Sequence, residues 1–131
     1  MREIPIWECP DGFGRADAGA AFKEVAAKTA DYTIKDHEIG KCFSNAGASG
    51  TVVLTLPTPK PGFWFPFVKI VPNQIFTIKA PAGVTINMGT AAQVYKNVTT
   101  ETIYATLRLA AYDTTKYVVE SQTGTWANAA S

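Results

Sequence analysis

The chain has 131 residues, 47% of them hydrophobic, enough for one domain with a proper core and too few for two. Its net charge is +1 and it has no Lys/Arg cluster, which argues against nucleic acid or an anionic membrane as a partner. Residues 1–50 carry six basic and eight acidic side chains and residues 51–131 carry six and three, an asymmetry that suits either a solvated surface or head-to-tail contacts between subunits.

No run reaches the roughly 18 apolar residues of a membrane span. Met1–Pro10 lacks the charged-then-apolar layout of a secretory signal, so synthesis in a cytoplasm is expected. Met1–Asp17 is rich in Pro and Gly, with isolated large apolar residues at Ile4, Ile6, Trp7 and Phe13. That composition cannot form a core alone and reads as an extended arm, laid either on another surface or over one end of its own body. Ala18–Lys28 predicts a short helix, with Asp17 as N-cap and Phe22, Val25 and Ala26 on one face. The expected division is an arm with a short helix over 1–30 and a β domain over 31–131.

From Asp31 onward, period-2 alternation predicts strands at Tyr32–Lys35, Lys41–Asn45, Thr51–Leu56, Gly62–Val71, Gln74–Ala80, Val84–Met88, Ala92–Tyr95, Thr100–Tyr112, Lys116–Ser121 and Thr123–Trp126. Their spacing is that of an all-β antiparallel sandwich or jelly roll. Phe63, Phe65 and Phe67 alternate with Trp64, Pro66 and Val68. Because Pro66 and Pro72 cannot donate to a ladder, the strand holding them is expected at an edge or broken there. An aromatic edge needs cover, from the arm or from a neighbouring subunit, which makes Phe63, Trp64, Phe65 and Tyr112 candidate subunit-interface residues. Gly47 and Gly50 in Asn45–Gly50, and Gly83, supply residues able to take positive φ between strands.

Chemistry-bearing patterns are sparse. His37, the only histidine, sits in a polar turn, Asp36–Gly40, and reads as a surface residue rather than the centre of a triad. Residues 51–131 offer only Glu101, Asp113 and Glu120 for a carboxylate pair. Cys9 and Cys42 form no CxxC pair, so four N/S ligands for zinc are not available, and the thiols are read as reduced and structural or as disulfide-forming, between subunits included. Gly12-Phe13-Gly14 lacks the strand and third glycine of a phosphate loop. Trp64, Tyr95, Tyr112 and Trp126 are able to stack on a sugar ring, but core or interface packing is the favoured reading. The expectation is a non-enzymatic protein without cofactor or metal.

The run from Ala30 to Pro57, with Tyr32-Thr33, Gly40-Lys41, Phe43-Ser-Asn-Ala-Gly-Ala-Ser-Gly50 and the following Thr-rich strand into Leu56-Pro57, resembles small β-structured virion proteins of tailed bacteriophages. Gly62–Val68, Gln74–Ile78, Gly83–Asn87 and Gly124-Thr-Trp126 are similar to the same series, so the likeness spans about residues 30–126. It implies a homotrimer or other small ring fixed to a virion by its N-terminal segment. The first expectation is a capsid decoration (cement) protein on the capsid exterior, with the major capsid protein as partner and Ile4, Ile6, Trp7 and Phe13 as arm anchors. The alternative is the receptor- or glycan-binding head of a head or tail fibre, with Asn45, Ser49, Asn87 and Gln93 as loop recognition residues.

Overall fold

The computed structural model describes residues 24–89, 94–97 and 104–129. Eleven strands are present among them: β1 Val25–Ala27, β2 Tyr32–Thr33, β3 Cys42–Ser44, β4 Val52–Thr55, β5 Trp64–Lys69, β6 Phe76–Lys79, β7 Thr85–Ile86, β8 Val94–Asn97, β9 Ala105–Ala111, β10 Lys116–Thr123 and β11 Trp126–Ala129. They form a six-stranded sheet, ordered β1-β3-β5-β9-β10-β7, and a five-stranded sheet, ordered β11-β8-β6-β4-β2. Among the described residues no helix is long and apolar enough to cross a membrane.

The all-β class agrees with the sequence, but the sheets are mixed rather than antiparallel. β1–β3, β3–β5, β2–β4, β4–β6 and β7–β10 pair in parallel, whereas β5–β9, β9–β10, β6–β8 and β8–β11 are antiparallel. The reason lies in the path of the chain. From β1 to β6 it alternates between sheets, so each strand's parallel neighbour is two strands on, and the crossover that parallel pairing requires is a strand of the opposite sheet. Phe43 thus pairs with Phe67 in one sheet and Val52 with Phe76 in the other, the same 24-residue step (43 to 67, 52 to 76). The result is a two-layered coil, closed on its other side by the antiparallel strands β8 to β11.

The predicted helix over Ala18–Lys28 is not what forms where it can be described. Val25–Ala27 is an edge strand, and residues 18–23 lie outside the described residues. Tertiary pairing overrides local helical spacing here: Cys42 N donates to Glu24 O at 2.8 Å, Lys28 N to Ser44 O at 2.9 Å, and Ala26 packs against the core.

One core fills the space between the sheets, because inward residues alternate along each strand. Aromatic rings run through it in a row, Tyr32, Phe43, Phe67, Phe76, Trp126 and Tyr95, with successive centroids 6.0–6.3 Å apart. Two buried polar ties fix the connections. Asn45 accepts Ile70 N at 2.8 Å and Val71 N at 3.0 Å on Oδ1, joining the turn after β3 to the turn after β5. Tyr117 donates its hydroxyl to Pro57 O at 2.8 Å. Burial drives the Tyr117 pKa well above the usual phenol value, so this hydroxyl stays a donor.

β5 is an interior strand, not the expected edge, flanked by β3 and β9. Pro66 is accommodated because the parallel ladder with β3 begins one residue later, at Phe67, and Pro72 lies beyond the strand's end at Lys69. In the turn after β3, Gly47 takes φ +82°, a region that disfavours other residues, whereas Gly50 does not take a positive φ.

Candidate functional site

The two sheets present different outer faces. The strand registers send Val25 and Ala27 of β1, Cys42 of β3, Trp64, Pro66 and Val68 of β5, Thr106, Arg108 and Ala110 of β9, and Val118 and Ser121 of β10 to the outside of the six-stranded sheet. The five-stranded sheet turns out Thr33, Val53, Thr55, Thr77 and Lys79, a Thr-rich and polar set. A sheet face facing water normally alternates to polar residues. Instead the outward residues of β5, Trp64, Pro66 and Val68, are all apolar, and Val25 on β1 and Val118 on β10, each two strands away, are 63% and 40% exposed.

This outer face contains a groove of about 330 Å³, lined by Cys42, Pro66, Val68, Thr106, Arg108 and Ser121 with the backbone of Phe67 and Leu107. Arg108 crosses its wall. Its guanidinium lies 4.7 Å from the Trp64 ring centroid, and its Nε is 3.9 Å from Glu120 Oε1. A bulge between Val119 and Ser121 puts the extra residue, Glu120, beside Arg108. At the same spot Thr106 and Thr123 hydroxyls are 2.8 Å apart. Cys42 is a buried free thiol whose pKa is raised by burial, against a smaller opposing pull from Arg108, so it is a poor nucleophile and serves as apolar lining. The groove therefore offers apolar walls, a guanidinium and several hydroxyls.

No protein-family model matches the chain, and no curated protein matches it.

The sequence-predicted residues fall in several places. Ile4, Ile6, Trp7, Phe13 and Gln93 lie outside the described residues, as do Cys9 and Glu101. Trp64 is half-buried on the outer face. Phe65, by contrast, is fully buried in the domain core and cannot form part of a subunit surface, because it is Trp64, Pro66 and Val68 that point outward. Phe63 is half-buried against the core, edge-on to Phe65 with centroids 6.2 Å apart. Tyr112 is exposed at the end of β9. Asn45 is buried and committed to its backbone tie, so it is not a recognition residue, whereas Ser49 in the same loop is exposed. Asn87 is exposed with φ +50°, and its Nδ2 donates to the Tyr95 hydroxyl at 3.3 Å. Tyr95 and Trp126 stack on each other inside the core, unavailable to a sugar. His37 is exposed in a 3-10 turn, Asp36–Glu38.

Sequence reasoning missed Val25, Arg108, Val118 and the groove. The readable signal was β5 itself: a strand whose two alternating sets, Phe63/Phe65/Phe67 and Trp64/Pro66/Val68, are both apolar is one that expects cover on both faces.

Proposed function

We propose that this chain is a non-enzymatic structural protein of a tailed-bacteriophage virion. It acts as a capsid decoration (cement) protein that binds the exterior of the shell and stabilises it. In this reading the mixed two-sheet body is the sandwich-type, jelly-roll-like module that the sequence resemblance implies. The protein works as a homotrimer, with the major capsid protein as its partner.

The observation that carries the reading is the apolar outer face of the six-stranded sheet. A sheet face with an apolar central strand and exposed valines two strands away on either side is stable in water only at a cost, and docking removes that cost at about 25 cal/mol per Å² of apolar area before association losses. β1 is the edge strand of this same sheet, so the chain bearing Ile4, Ile6, Trp7 and Phe13 joins the body at the edge of the proposed contact face. Arm and face together supply two linked contacts, and a trimer multiplies them by avidity.

The test is co-sedimentation of the protein with expanded capsids of its phage, comparing wild type with Val118→Glu. The variant puts a carboxylate on the exposed face and is expected to lose at least tenfold in particle binding while keeping its melting temperature. Equal binding by both proteins removes the face from the account.

A second reading, a receptor- or glycan-binding fibre head, is favoured by one feature. Met88 is 99% exposed and takes φ +66°, so an apolar side chain is held in a strained conformation at a loop tip next to Asn87. Saturable quenching of tryptophan fluorescence by a glycan would favour this reading.

A further inference from the structure

We propose that Lys69 and Asn97 form an intramolecular isopeptide crosslink that welds the two sheets together. Lys69 follows Phe65 and Phe67 on the inward side of β5, and Asn97 ends β8 in the opposite sheet; both are 0% exposed. Lys69 Nζ lies 2.6 Å from Asn97 Oδ1. Asn97 pairs in register with Phe76 on one side and Trp126 on the other, and Lys69 pairs with Ala105.

That contact holds the amine against the amide group, and intramolecular attack from a near-contact separation of roughly 3–3.5 Å proceeds with very high effective concentration. The amide is also held still: Asn97 Nδ2 donates to Thr125 O at 2.8 Å, which fixes its plane and directs Oδ1 at the lysine. Lys69 is directed into the interior, onto a primary amide in the facing sheet.

The reaction is a transamidation. Nζ bonds to Cγ of Asn97, the Cγ–Nδ2 bond breaks, and Nδ2 departs as ammonia after taking a proton from Nζ. Starting from the ammonium form, the products are the secondary amide and an ammonium ion, so atoms and charge balance without oxidant, cofactor or co-reactant. Loss of ammonia to solvent makes the step effectively one-way. The product joins β5 to β8 by a covalent bond across the core.

The experiment is intact-mass spectrometry of the purified full chain under denaturing conditions, followed by proteolytic peptide mapping. The expected result is a mass lower than the sequence mass by one ammonia, and a branched peptide containing both Lys69 and Asn97. Lys69→Arg and Asn97→Ala should each run at their own full sequence mass and melt at lower temperature. The decisive readout is on the wild-type protein, so a variant that fails to fold does not blunt it. A folded, aged wild-type protein at full sequence mass overturns the proposal. So does loss of ammonia without the branched peptide, which would mark asparagine cyclisation instead.

Discussion

Replacing Asn45 with Ala tests whether one buried side chain holds two successive turns of the coil together. Asn45 is fully buried; its Oδ1 accepts from Ile70 N at 2.8 Å and Val71 N at 3.0 Å, and its Nδ2 donates more weakly to Val71 O at 3.4 Å. Alanine removes all three and leaves two backbone N–H groups without a partner in a half-covered turn. At about 0.5–1.5 kcal/mol for each bond the loss is ~2–4 kcal/mol. With a mid-range urea slope of about 2 kcal/mol per M, the unfolding midpoint should fall by ~1–2 M at unchanged slope. The assay is urea unfolding followed by circular dichroism. Ser49→Ala serves as control, because Ser49 is exposed in the same loop and should stay within about 0.5 kcal/mol of wild type. If Asn45→Ala is as stable as the Ser49→Ala control, the turn-to-turn tie does not stabilise the fold.

Glu38 gives a pH prediction. Burial pushes its carboxyl pKa upward, but hydrogen bonds from Lys35 N, the Tyr32 hydroxyl and Lys41 outweigh that and hold it below its ordinary 4.5. A depressed folded pKa means that the stabilisation is complete above pH 4.5 and is lost as pH falls through the folded value. Thermal melts of Glu38→Gln should therefore lie below wild type at pH 7 and converge with it in acid; parallel curves at all pH values would refute this. Phe76→Ala removes the ring that meets both Phe67 and Trp126, and should cost about 3–5 kcal/mol in chemical unfolding. A loss under about 1 kcal/mol would mean that the core does not pack as described. Deleting Met1–Asp17 should leave a folded β body that no longer sediments with capsids, and undiminished decoration by the truncated protein would end the arm hypothesis.

Most strands were legible because alternation is a local property. Val52/Leu54 and Phe65/Phe67 point inward as their period-2 spacing predicts. Strand direction was not legible, since Phe43–Ser44 alternates identically whether its neighbour runs parallel or antiparallel, and only the path through the opposite sheet decides between them. That is why a coil of parallel pairs reads in sequence as an antiparallel sandwich. The strand at Val25–Ala27 was hidden for a related reason: its alanines are helix formers, and what makes them a strand is pairing with Cys42–Ser44, beyond the reach of a local window.

The site was legible only in part. Trp64 and Phe65 were grouped as subunit-interface candidates, but Trp64 lies on the outer face and Phe65 belongs to the core, a distinction that alternation alone supports once the inward set is known. Asn45 looked like a loop recognition residue because Asn marks turns; its capture of two backbone amides 25 and 26 residues away has no sequence signature. Lys69 did carry one. It continues the Phe63/Phe65/Phe67 series by one further step of two, so the alternation that fills the core also sends a lysine into it.

The most direct test of the central claim is a cryo-EM map of expanded capsids incubated with this protein, beside bare capsids. The account predicts added symmetric density at capsomer junctions, with the outer face of the six-stranded sheet and the N-terminal arm against the shell. Capsids that stay bare at saturating protein, or density that meets the shell through the polar five-stranded sheet, would contradict it.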